Sequence, residues 1–142
     1  MKKGFELNMK NVTQKDGFGC GIACTASVLG LSYEETKKIF PNSKQAKDFG
    51  FLCKDIVDAL KKKGLNYEYR YIKPKIKKRI YKQRTIVFIA RSKRYPDGHY
   101  LSRDSKKGWM DPWINFPSDM SKSKSGFRKR LPGKPIYAIL PL

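Results

Sequence analysis

The hydrophobic period of this chain changes once, near Gly64, and that change limits the fold more than any other feature. Before it, apolar residues recur at helical spacing. In "FLCKDIVDALKKKG", Leu52, Ile56, Ala59 and Leu60 form one stripe, and Gly64 marks its stop. "GIACTASVLG" predicts a compact buried helix over 21–29 stopped by Gly30, and "LSYEET" opens with Ser32 three positions before Glu35, a capping box. After Gly64 the pattern belongs to strands. "LNYEYRYI" alternates, "RTIVFIA" is a short β-branched run, and "PIYAILPL" is an apolar segment bounded by prolines. "GHYLSRD" and "GWMDPW" flank the turn-like "SKK" and predict a hairpin. Helices followed by antiparallel strands define an α+β fold, with a helical half over about 12–64 and a sheet half over about 65–142. The polar stretch at about 115–134 is expected to be a mobile basic loop, and neither repeats nor a second domain are expected.

At 142 residues the chain is long enough for one real core. Its charge is extreme, with 32 Lys+Arg against 12 Asp+Glu, a formal +20. Such a balance predicts attraction to polyanions: nucleic acid, an anionic surface, or an acidic protein partner or inhibitor. Three cysteines, two of them in helical patterns, point to reduced thiols rather than a disulfide scaffold. No signal-peptide pattern and no membrane span are evident, so the expected location is cytoplasmic, or exported without a cleavable signal.

Chemistry concentrates in "VTQKDGFGCGIAC", Val12 to Cys24. Cys20 stands where a glycine-rich turn becomes a helix, and the positive end of a helix stabilises the nucleophilic thiolate. Gln14, six residues earlier, can curl back so that its amide and the Cys20 N–H hold an oxyanion. A thiolate needs a base, and the chain offers one histidine, His99. A hairpin turning near Ser105 to Lys107 would bring Asp111 within a residue or two of His99, where a carboxylate orients an imidazole. The roles follow: Cys20 attacks, His99 exchanges the proton, Asp111 orients the ring, Gln14 stabilises the oxyanion. Competing readings are plainer. Cys20 could be a small buried residue, as Cys24 and Cys53 are expected to be, and Asp111 could merely cap a turn before Pro112. A zinc site from Cys20, Cys24 and His99 would be short of ligands, and no cofactor is expected.

These residues carry a resemblance. "Q-x5-CG-I-A-C" leading into a helix, then "FLCKDIVDALKKKGL", "GHY" and "DPW", is similar to the papain-like cysteine peptidases of the bacteriocin-processing, double-glycine type, over roughly 12–113. The resemblance implies a papain-like fold with its site between helices and sheet. It implies hydrolysis of a peptide or protein substrate, with Gln14, Cys20, His99 and Asp111 at the family's functional positions. One departure is local: the family commonly has aspartate directly before the nucleophile, whereas this chain has Gly19, and its nearest aspartate is Asp16. The same residues would also serve acyl transfer or deamidation. A non-enzymatic basic domain that binds nucleic acid or an acidic protein is the reading from a different class.

Overall fold

The computed structural model describes residues 9–142. Among the described residues, four helices come first: α1 (Cys20–Leu29), α2 (Tyr33–Lys37), α3 (Gln45–Asp48) and α4 (Cys53–Lys62). Six strands follow: β1 (Tyr67–Tyr71), β2 (Ile86–Ile89), β3 (His99–Asp104), β4 (Gly108–Asp111), β5 (Gly126–Arg128) and β6 (Pro135–Pro141). They form one sheet in the order β1-β6-β2-β3-β4-β5, and every neighbouring pair is antiparallel.

α1 is apolar all round because it is enclosed all round, with Gly21 through Val28 buried. Its polar side chains are satisfied within the core. Thr25 Oγ1 donates to Gly21 O at 2.7 Å, and Ser27 shares a 2.7 Å hydrogen bond with Ser102 of β3. Gly30 closes the helix at φ 74°, and the Arg84 guanidinium donates to the Val28 carbonyl at 2.9 Å, a cation at the negative helix end. The Ser32–Glu35 capping box forms as expected at α2. On α4, Ile56, Ala59 and Leu60 are buried, but Leu52 is the N-cap and stands 71% exposed. The stripe therefore begins one turn later than its sequence period indicates.

The sheet is covered on both faces, which explains why "IVFI" is continuously apolar rather than alternating. One face packs on α1 and α4 through Ile22, Ile56, Leu60, Ile86, Met110 and Ile139. The other holds a second core of Ile76, Ile80, Val87, Leu101, Trp109 and Leu140. Two 3₁₀ turns, Pro74–Ile76 and Arg79–Tyr81, supply Ile76 and Ile80 to that cover.

The β3–β4 hairpin turns over Ser105 to Lys107, with Asp104 opposite Gly108. Asp104 fixes the turn: its Oδ1 accepts from the N–H groups of Lys106 and Lys107, each at 2.9 Å. The 115–134 stretch differs from the loop expected of it. It contributes strand β5, paired with β4 so that Asp111 faces Gly126, and the 3₁₀ turn Met120–Lys122. Asn115 ties this stretch down by donating to Lys122 O and accepting from Lys124 N.

Candidate active site

His99 is the first residue of β3, preceded by Gly98 at φ 76°. A Cβ at Gly98 would lie 2.2 Å from the Phe88 ring and 2.9 Å from the Ile89 carbonyl, so only glycine lets the chain enter β3 here. The hairpin register sets Asp111 opposite position 101, two residues from His99 on the same strand face. That diagonal is short enough for a direct contact. His99 Nε2 and Asp111 Oδ1 are 2.7 Å apart, with both side chains buried. Nδ1 is the ring nitrogen not engaged by Asp111, and the half-buried Cys20 lines the same cleft as this imidazole.

Electrostatics follow from this pairing. Burial pushes His99 toward its neutral form, but the bond to Asp111 and the charges of Cys20 and Asp111 outweigh it. Its pKa is raised to about 9. Burial alone would push Asp111 up. The His99 bond and charge, the Arg128 guanidinium and the Trp113 N–H instead hold its carboxyl below the usual carboxylate range. Arg128 Nε donates to Asp111 Oδ2 at 2.7 Å, and Trp113 N donates to Oδ1 at 3.0 Å. Both oxygens of this fully buried carboxylate are thereby engaged, Oδ1 by two donors and Oδ2 by one.

Arg128 lies on β5, inside the stretch expected to be loop, and nothing in "GFRKR" marks which cation reaches a buried carboxylate. An aromatic stack closes the other side. The Tyr95 ring lies parallel to His99 at 4.7 Å and 9°, and Phe116 stacks on Tyr95 at 5.1 Å. Trp113 meets Phe116 edge-on at 4.8 Å. These rings keep water from the imidazole–carboxylate pair.

Gln14 lines the same cleft but is occupied with its own loop. Its Nε2 donates to Asp16 O at 3.0 Å and, less closely, to Gly17 O at 3.3 Å, while its buried Oε1 has no hydrogen-bond partner. The Gln14 backbone N–H reaches Pro112 O at 3.2 Å, which ties this loop to the segment carrying Asp111. As the first residue of α1, Cys20 has no intrahelical acceptor for its own N–H.

Asp16 anchors the loop from below. Tyr33 Oη donates to its Oδ2 at 2.8 Å and Lys37 Nζ at 2.9 Å, and these contacts hold its carboxyl low despite burial. A Cβ at Gly19 would sit 2.0 Å from Tyr33 Oη. Glycine before Cys20 is therefore a steric consequence of the Tyr33–Asp16 bond, and an aspartate there would have to displace it.

The cleft is about 520 Å³. Cys20, His99 and Gln14 lie in it together, and Phe49, Leu52, Tyr69 and Tyr137 expose apolar surface around it. Cys53 also lines it, and Tyr100 Oη contacts its sulfur at 3.7 Å; Cys24 is fully buried. Among the described residues, no group of three or more His, Cys, Asp or Glu side chains could hold a metal ion. Nor is any helix among the described residues long and apolar enough to cross a membrane.

No family model matches the chain, and no curated protein matches it. Among solved structures, the chain is similar to the crystal structure of the peptidase domain of Streptococcus ComA, a bifunctional ABC transporter involved in a quorum-sensing pathway. Identity is 22%, the TM-score is 0.53, and the match covers 94% of this chain and 97% of that one. The likeness is one of fold: mixed helices and an antiparallel sheet in the manner of a peptidase domain.

Proposed function

We propose that the chain is a papain-like thiol hydrolase that cleaves a peptide bond in a peptide or protein substrate. The observation that carries this reading is the buried His99–Asp111 pair beside Cys20 at a helix N-terminus, in an open apolar cleft. The Cys20 thiolate adds to the substrate carbonyl carbon, and the carbonyl π electrons move to oxygen. His99, protonated, gives its proton to the amide nitrogen as the C–N bond breaks, which leaves an acyl thioester on Cys20. His99 then takes a proton from water, whose oxygen attacks the thioester. The acid departs and the thiolate returns. With a pKa near 9, His99 holds the required proton at neutral pH.

Selective alkylation tests the reading. Iodoacetamide at neutral pH should modify Cys20 about tenfold or more faster than Cys53, because burial pushes the Cys53 thiol up. Cys24 should remain unmodified in the folded protein. Equal, slow modification of all three thiols would sink the proposal.

In this reading the oxyanion is held by the Cys20 N–H and by Gln14, which would exchange its longer bond to Gly17 O for the developing charge. Gln14→Ala and the isosteric Gln14→Glu should each lower kcat by about 10²–10³-fold with little change in KM. A loss of thermal stability with kcat intact would reduce Gln14 to a loop brace.

A further inference from the structure

The active-site cleft leaves the charge of this chain unexplained, and that charge is unevenly placed. The cover of the sheet's second face carries Lys73, Lys75, Lys77, Lys78, Arg79 and Lys82 between its buried isoleucines, with no acid among them. The segment after β5 adds Lys129, Arg130 and Lys134. The two segments face each other across a groove of about 450 Å³ that shares no lining residue with the active-site cleft. Lys73 and Lys77 line one wall, Lys129, Arg130 and Lys134 the other, and no lining residue is acidic. All five cations are exposed, and none makes an ion pair with a described residue. Glu68, on the adjoining strand β1, is already taken by Arg70 and Arg79.

Between the walls lies an aromatic. Tyr81 is 52% exposed, its ring meets Trp109 edge-on at 5.9 Å, and the Arg103 guanidinium lies over both rings at 5.2 and 5.1 Å. The ring is thus braced by Trp109 and Arg103 while about half of the residue stays exposed. Five uncompensated cations in one groove repel one another, a cost that an occupying polyanion removes. An acidic protein would satisfy the charge alone. A single strand of nucleic acid would use the charge and also stack a base on the supported ring.

We propose that this groove binds single-stranded nucleic acid, with phosphates on Lys73, Lys77, Lys129, Arg130 and Lys134 and a base against Tyr81. The site is independent of the hydrolase reading and stands or falls without it.

The test is fluorescence anisotropy of the full chain with labelled oligothymidylate and oligouridylate of about twelve nucleotides, across salt from about 50 to 200 mM. Five phosphate contacts on a single strand predict a log–log salt slope of about −3.5. The exposed double variant Lys77→Glu/Arg130→Glu should weaken binding at least about tenfold and flatten the slope. Tyr81→Leu, which keeps an apolar cover over Trp109, should weaken binding about five- to hundredfold while leaving the slope unchanged, since stacking carries no counterions.

Three outcomes would overturn the proposal. One is no binding of either probe at about 50 mM salt, and another is binding indifferent to Lys77→Glu/Arg130→Glu. The third is binding that polyglutamate displaces as readily as unlabelled oligonucleotide while Tyr81→Leu is silent, which would assign the groove to an acidic protein instead.

Discussion

Cys20→Ala is expected to abolish peptide-bond hydrolysis, a fall on the order of 10⁵-fold or more in kcat, while the protein still folds. The thiol is the atom that forms the bond in the proposed reaction, and alanine offers nothing in its place. The fold should tolerate the change because Cys20 is only half buried at the edge of the core and alanine keeps its Cβ there. Cys53→Ala is the decisive companion. Cys53 lines the same cleft and is the one other thiol a substrate could meet, yet burial keeps it protonated and it has no histidine beside it. That variant should retain most activity. Turnover of a fluorogenic peptide by both variants, with thermal melts alongside, reads the result. Activity that survives Cys20→Ala and disappears with Cys53→Ala would move the nucleophile to α4 and undo the proposed roles.

The parts of this fold legible in the sequence are those set by local chemistry. Glycine at the end of α1, the Ser32–Glu35 box and the 105–107 turn each act within a few residues, so their signals survive without tertiary context. His99 and Asp111 could be brought together on paper because hairpin register depends only on where the turn lies. What was not legible depends on partners far along the chain. β5 is three residues of mixed character whose strand geometry comes from pairing with β4, not from propensity. Arg128 looks like any other cation in "RKR", and its value comes from a carboxylate 17 residues away. Likewise Gln14 announces an amide near Cys20, but the sequence does not say that Asp16 O and Gly17 O already hold it. The Tyr33 ring that enforces Gly19 lies on a different helix altogether.

Asp111 is where activity and stability meet, and its replacement should separate them. Asp111→Asn keeps the shape but removes the charge that holds up the His99 pKa. With burial then unopposed by its main counterweight, the imidazole should lose its proton well below pH 9. The alkaline limb of kcat/KM, expected near pH 9 in the parent, should move down, and kcat should fall on the order of 10³–10⁴-fold. Asp111→Ala should in addition cost about 3 kcal/mol of stability, because it strands Arg128 and His99 around an empty buried position. The pH dependence of stability has a definite sign. His99 is raised above its ordinary 6.5, so its contribution is complete below 6.5 and is lost as pH rises through about 9. Asp111 is lowered below its ordinary 3.8, so its contribution is complete above 3.8 and is lost only as pH falls further. The pair therefore stabilises the fold most between about pH 4 and 6.5. Denaturant melts of parent and Asp111→Asn should show their largest difference in that window and converge on the alkaline side. A difference that stayed constant from pH 6.5 through 9 would mean that His99 is already neutral at pH 7 in the folded protein, and the proton needed by the leaving amine would have to come from elsewhere.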